Sequence, residues 1–222
     1  MQTMKLDPKT VSVLKNFSSI NPSILFKEGS ELRTISPTKN ILAKAKVNQE
    51  FESRFAIYDL SRFLGVLSLF DNPDLNVNEK FVTIKDGQRK LNYTFADASA
   101  IIVPPDKDIN LEGKNVAATV EVTSKSLDDV LKGLAVLRLP ELAFVADGYT
   151  VALQAIDTKN PSSDVYSVDL GPTDKTFKAV FKAENIKILP GDYAVTIYPD
   201  GIAAFAGTDV DYWIAMETSS NF

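Results

Sequence analysis

Residues 56–70 read AIYDLSRFLGVLSLF, a strand that passes into a helix with almost no loop. Over residues 50–58 the β-favouring Phe51, Phe55, Ile57 and Tyr58 predict the strand. Asp59 then offers a capping oxygen. Leu60, Phe63, Leu64 and Leu67 recur at i, i+3, i+4 and i+7, the period of a helix with one buried face. The opposite face holds Ser61, Gly65 and Ser68, which are small and carry no negative charge. A helix so bare on its outer side can lie close to something large.

Upstream, residues 6–20 (LDPKTVSVLKNFSSI) predict a first helix, with Asp7 as cap and Pro8 at the first helical position, where its missing N–H costs nothing. Val11, Leu14 and Phe17 are its expected core face; Lys9, Ser12, Lys15, Asn16 and Ser19 point outward. Strand-like runs at 24–27, 31–35 and 40–47 fill the interval. Three more follow the quoted stretch, at 80–85, 89–95 and 98–103, with Asp86-Gly87 as a hairpin turn. The pattern then stops at residues 104–115, PPDKDINLEGKN, a proline- and charge-rich connector.

From residue 116 the same grammar restarts. A strand at 116–122 leads to a helix capped by Ser124, with Leu127, Val130, Leu131 and Leu134 inward. Strands follow at 142–146, 150–156, 165–170 and 176–181, then a short helix over 182–189 ended by Pro190-Gly191, then strands at 193–198, 202–206 and 212–218. Asp147-Gly148 and Asp200-Gly201 mark two more hairpins. Each half reads helix, four strands, helix, three strands. The expected fold class is α+β with a duplicated domain, at 1–103 and 116–222.

Composition removes whole chemistries. The chain has 222 residues with neither cysteine nor histidine. That excludes disulfides, a thiol nucleophile, a Cys/His zinc site and an imidazole base. No apolar run approaches the length of a membrane span and no apolar leader opens the sequence, so the expected location is the cytoplasm. Carboxylate pairs do occur, at Asp106 and Asp108, Asp128 and Asp129, and Asp209 and Asp211. No third ligand accompanies any of them, so neither a catalytic nor a metal site is expected. A β-rich virion or carbohydrate-binding protein would suit the strands, but not paired helices with basic outer faces.

The net charge of −5 hides a partition. The four helical segments, taken as 5–20, 59–70, 124–138 and 178–188, carry ten cations and five carboxylates; 14 cations and 24 carboxylates fall elsewhere. Basic helices on an acidic body suit a surface that faces phosphates while the outer strands repel them. With Ser, Asn and Gly between the cations and no aromatic platform, such a surface would touch duplex backbone without reading bases.

Three stretches, AIYDLSRFLGVLSLF, VLKNFSSINPSILFKEG (13–29) and ILPGDYAV (188–195) with YWIAMETSSNF (212–222), carry a family likeness. In these the chain resembles the DNA polymerase sliding clamps of T-even-type tailed bacteriophages, in order and over nearly its whole length. The resemblance implies a homotrimeric ring of duplicated clamp-type domains, with antiparallel sheets outside and helices lining the hole. Such a ring encircles duplex DNA and tethers the replicative polymerase. It implies an ATP-dependent clamp loader, late-transcription proteins as further partners, no cofactor, and work in the infected bacterial host. The chain has no phosphate-binding loop of its own: Gly113-Lys114-Asn115 lacks both the upstream glycine and the hydroxyl.

On that likeness the DNA-facing residues are Lys5, Lys9, Lys15, Arg62, Lys125, Lys132, Lys182 and Lys187. Ring closure would pair the 98–103 strand (Ala98, Ile101, Val103) with the 164–170 strand (Val165, Tyr166, Val168, Leu170) of the next copy. Partner peptides would dock near the connector, on Ile41, Leu42, Pro104, Pro105, Ile109, Leu111 and Trp213, with Phe222 at an exposed tail.

Overall fold

Three helices are placed by the side chains that start them. In the computed structural model, which describes residues 2–222, the Asp7 carboxylate accepts from the Thr10 N–H at 2.7 Å and opens helix α1, Pro8–Ile20. That bond holds the Asp7 carboxyl below its ordinary pKa. Asp59 accepts from the Arg62 N–H at 2.8 Å and opens α2, Leu60–Leu67. Thr123, one residue before the expected Ser124, accepts from the Ser126 N–H at 3.1 Å and opens α3, Ser124–Leu137. Each cap satisfies a helix N–H that has no partner inside the helix.

The chain divides into two compact units, one ending at Asp106 and the other spanning Lys107–Phe222. In the first unit the order is β1 (Gln2–Met4), α1, β2 (Ile24–Phe26), β3 (Gly29–Ile35), β4 (Ile41–Phe51), β5 (Phe55–Ile57), α2, β6 (Asp74–Val77), β7 (Phe81–Asp86) and β8 (Arg89–Thr94). All its ladders are antiparallel. β1-β6-β7-β8 form one sheet, β2 pairs β5 and β3 pairs β4. Helix α1 packs on β3, β4 and α2, burying Val13, Leu14, Phe17 and Ile20.

The second unit repeats that order: β9 (Ala118–Val122), α3, β10 (Glu141–Asp147), β11 (Thr150–Ile156), β12 (Tyr166–Pro172), β13 (Thr176–Lys182), a single 3-10 turn (Ala183–Asn185), β14 (Tyr193–Tyr198), β15 (Ile202–Ala206) and β16 (Val210–Ala215). Its sheets run β12-β11-β10-β13 and β9-β14-β15-β16. Helix α3 packs on β10, β11 and β12; α1 packs on β3 and β4, the counterparts of β11 and β12. The α+β duplication is thus one of topology, strand for strand. Gly87, Gly148 and Gly201, in the three hairpins of residue type Asp-Gly, all have positive φ, the conformation for which glycine is suited.

Four expectations are corrected. The 50–58 strand is two strands, because residues 52–54 leave the ladder between β4 and β5. On α1 the deepest valine is Val13; Val11 is half-buried. Residues 98–103 are not a strand: the Asp97 carboxylate takes both the N–H and the hydroxyl of Ser99, closing a 3-10 turn over Ala98–Ala100. Residues 182–189 hold only the turn at Ala183–Asn185, since Lys182 offers no capping side chain and Pro190 follows closely. Phe222 is exposed, as expected, and stacks on Phe177. Strands β1 and β6, three and four residues long, went unexpected.

Candidate nucleic-acid interface and assembly edges

On α1 and α2 the basic side chains stand beside polar or small neighbours. Lys15 is exposed on α1, Lys9 half-buried, and Arg62 exposed on α2. Lys15 borders a cleft of about 270 Å³ between the two helices, floored by Val11, Leu64, Leu67, Phe70 and Leu75. Lys15 and Arg62 make no ion pair among the described residues, so both keep their charge available to solvent or a ligand. Lys5 precedes α1 and reaches Asp74 at 3.8 Å, with both side chains half in solvent.

Helix α3 is wired differently. Lys125 pairs with Asp129, one helical turn on, and Lys132 with Asp128, one turn back, and both lysines are exposed. The carboxylate hydrogen bond comes first among the causes that raise each lysine's pKa. The two lysines therefore present a dipolar rather than a plainly cationic surface. Lys182 and Lys187 are on no helix. Lys182 ends β13, 3.9 Å from Glu217, and half-buried Lys187 follows the 3-10 turn.

Each unit has strands at the edge of a sheet. Among them are β8, along with β3, in the first unit and β12, along with β9 and β13, in the second. Phe95 N–H bonds to Lys80 O, so in the alternating ladder Thr94, Asn92 and Lys90 turn their N–H groups away from β7. The β8 edge carries Arg89 and Lys90; β12 carries Asp169, with Asp164 just before it. Beside β8 lies an open pocket of about 480 Å³ lined by Tyr58, Arg62 and Val66 together with Leu91 and Tyr93. At the other edge Val165 and Tyr166 are exposed, while Val168 and Leu170 are half-buried. Tyr166 lies on α3 at Gly133, where a Cβ would come within 2.8 Å of its ring. Only glycine allows that approach.

Of the residues expected at the first edge, Ala98 is in the 3-10 turn and Ile101 and Val103 lie beyond it, so none offers a ladder. The edge strand there is β8. Asp97 followed by Ser99 is the signal that could have shown the break, since an Asx turn competes with a strand. The Arg89 guanidinium reinforces the start of β8: it donates to Leu69 O at 2.9 Å and to Asp71 and Asp86 at 2.8 Å each, and lies 5.6 Å from the Phe70 ring centre.

Near the connector, Ile41 and Leu42 are 2% and 6% exposed and belong to the core of the first unit. Pro104 is also buried. It lines a pocket of about 260 Å³ with Leu25, Lys27, Arg33 and Val103, closed at one side by a Lys27–Asp106 ion pair that lowers the Asp106 pKa. Pro105 is exposed, and Ile109, Leu111 and Trp213 are half-buried. Among the described residues no group of three or more acidic side chains is placed to hold a metal ion, and no helix is long and apolar enough to cross a membrane.

Comparisons with known proteins agree on one family. Residues 5–103 match the family described as DNA polymerase processivity factor, and residues 119–218 match the one described as gp45 sliding clamp, C terminal. A sliding clamp of Vibrio phage KVP40 is 35% identical over 222 residues, covering 96% of this chain and 99% of its own. The sliding clamp of Enterobacteria phage T4 is 28% identical, covering 98% of both. Among solved structures, A. fulgidus PCNA bound to the C-terminal region of FEN-1 superposes with a TM-score of 0.71 at 14% identity, over the full length of both chains.

Proposed function

The chain belongs to the sliding clamp family of phage DNA polymerase processivity factors, and on that footing we propose that copies of it close head to tail into a ring around duplex DNA. The observation that carries this is a pair of strand edges, one per unit and of opposite charge: Lys90 on β8, where Arg89 is already balanced by Asp71 and Asp86, and Asp164 and Asp169 on or beside β12. An edge on each unit that complements the other makes a heterologous contact, which closes by rotation. Three copies is the number the family likeness implies.

Inside such a ring the helices meet phosphate, Lys9 among their contacts, with Lys15 and Arg62 of the first unit attracting more strongly than the paired Lys125 and Lys132. Lysines on flexible stems across a layer of water give an attraction that barely changes from one position to the next, as sliding requires. The ring tethers the polymerase, so processivity follows from topology, and no step in this role is catalytic. Ile109, Leu111 and Trp213 of the second unit receive a peptide of the polymerase, of the ATP-dependent loader or of late-transcription proteins, in the cytoplasm of the infected host.

The test is co-migration with DNA. On a nicked circular duplex, after loading, the protein should remain bound at moderate salt and be lost when the circle is linearised, because only an encircling body slides off an end. Equal retention on both forms would overturn the proposal.

A further inference from the structure

β13 is the outermost strand of its sheet, and a seven-residue edge of sequence TFKAVFK is by itself an invitation to pair. Its apolar pattern is nearly symmetric about Ala179. An antiparallel pairing with a second β13 would set Phe177 against Phe181 on both sides, a self-complementary contact. In this structure the edge is occupied by the chain's own residues. Glu217 N–H donates to Val180 O at 2.8 Å, and Val180 N–H donates to the Ser220 hydroxyl at 2.9 Å. Lys178 and Asn221 exchange both backbone bonds, at 2.8 and 2.9 Å. Phe222 then stacks over Phe177 with ring centres 6.3 Å apart. All four backbone groups of Lys178 and Val180 on the outer side are thereby satisfied.

The first unit uses the same device. There Ala96 N–H donates to Ala56 O on β5, the counterpart of β13, and Phe95 stacks on Phe55 at 4.7 Å. Two independent sequences, neither with the regular ladder of a strand, cover equivalent edges with one aromatic stack each. A repeated solution to one liability points to the liability as its cause.

We infer that residues 217–222 are an edge guard: a strap that closes β13 against a second copy of this chain. Self-association is thereby left to β8 and β12, a corollary that rests on the ring reading above.

The experiment opens the strap with Asn221→Pro plus Phe222→Ala, and in parallel with Ser220→Ala alone, which leaves the backbone free to fold as before. Amide exchange is read at Lys178 and Val180, and mass by analytical ultracentrifugation over a concentration series. The inference expects exchange at those two amides to rise about tenfold or more, protection of β10 and β11 to persist, and a species of twice the wild-type assembly mass to appear. An added peptide of sequence ETSSNF should suppress that species. Unchanged exchange, or opened exchange with no heavier species, would overturn it. Repeating the measurement with Thr94→Pro, which blocks β8, separates the two readings. Pairing through β13 should then yield dimers of an otherwise monomeric chain. If Thr94→Pro leaves the wild-type assembly intact, the ring reading falls while mass doubling on strap opening still upholds the guard.

Discussion

The two units have one topology and two electrostatic designs. Element for element β1, α1 and β2–β5 correspond to β9, α3 and β10–β13, and β6–β8 to β14–β16. They diverge where α2 stands in the first unit and a single 3-10 turn in the second. Residues 58–73 separate β5 from β6, whereas only residues 183–192 separate β13 from β14. Sixteen residues can make two helical turns and return; ten ending in Pro190-Gly191 cannot. The charges diverge as well. Lys15 and Arg62 are unopposed, while α3 answers each lysine with an aspartate one turn away. A duplicated scaffold thus conserves the sheets, which the core requires, and lets its helices vary in what they offer.

The comparison breaks most severely in the cores. Phe17 and Phe181, one per unit, are both fully buried. Either Phe→Ala change should cost about 3–5 kcal/mol in chemical denaturation. Loss of amide protection should stay largely within the mutated unit, because each unit has its own core. A uniform loss across both would show that they do not behave as separate cooperative bodies.

Next is assembly. Thr94→Pro removes an outward N–H from β8 while keeping the bonds to β7, and should leave the protein folded but monomeric by light scattering. An assembly of unchanged mass would place the contact elsewhere.

Alkaline pH should separate the units. Burial pushes the Tyr193 hydroxyl up to about 12 and the Tyr212 hydroxyl further in the same direction; Tyr212 also accepts from the Leu189 N–H at 3.1 Å. Since the fold favours the neutral phenols, their contribution is complete below the free tyrosine value near 10 and disappears as pH rises through 12. The second unit should therefore loosen first above pH 10, read as amide exchange in β14–β16. Tyr212→Phe should lower stability at neutral pH by about 1 kcal/mol, because the Leu189 N–H loses its acceptor. Equal alkaline sensitivity of the two units would refute this assignment.

A smaller effect concerns DNA. Lys15→Glu should weaken retention on nicked circles and lower the salt slope by about one, with Lys132→Glu doing less because Asp128 already offsets that charge. A larger loss from Lys132 would reverse the proposed roles of α1 and α3. Smallest of all, Asp128→Asn should leave the melting temperature unchanged while tightening DNA retention slightly, as expected for an exposed pair.

Local chemistry is what sequence reveals directly. The caps at Asp7 and Asp59, the Asp-Gly hairpins and the repeated order of elements were all legible, because each depends on neighbours within a few residues. The basic residues of α1, α2 and α3 could be located on helices, yet the aspartates four residues from Lys125 and Lys132 were overlooked although they lie in plain sequence. What failed needed the third dimension. Val11, Leu64 and Leu67 fit a helical core stripe, but α1 and α2 meet so that these residues flank a cleft instead of filling a core. Residues 98–103 carry strand-like letters, and the Asp97 side chain diverts them into a turn.

Composition and periodicity by themselves determined the α+β duplication and the absence of thiol and imidazole chemistry. Each of these follows from residue identity and spacing alone. Only the tertiary structure decided that β8 rather than residues 98–103 is an open edge, that Gly133 admits Tyr166 against α3, and that residues 217–222 cover β13. Edges are defined by which strands lack a neighbour, and neighbours far apart in the chain are chosen by packing and hydrogen bonding across the whole sheet.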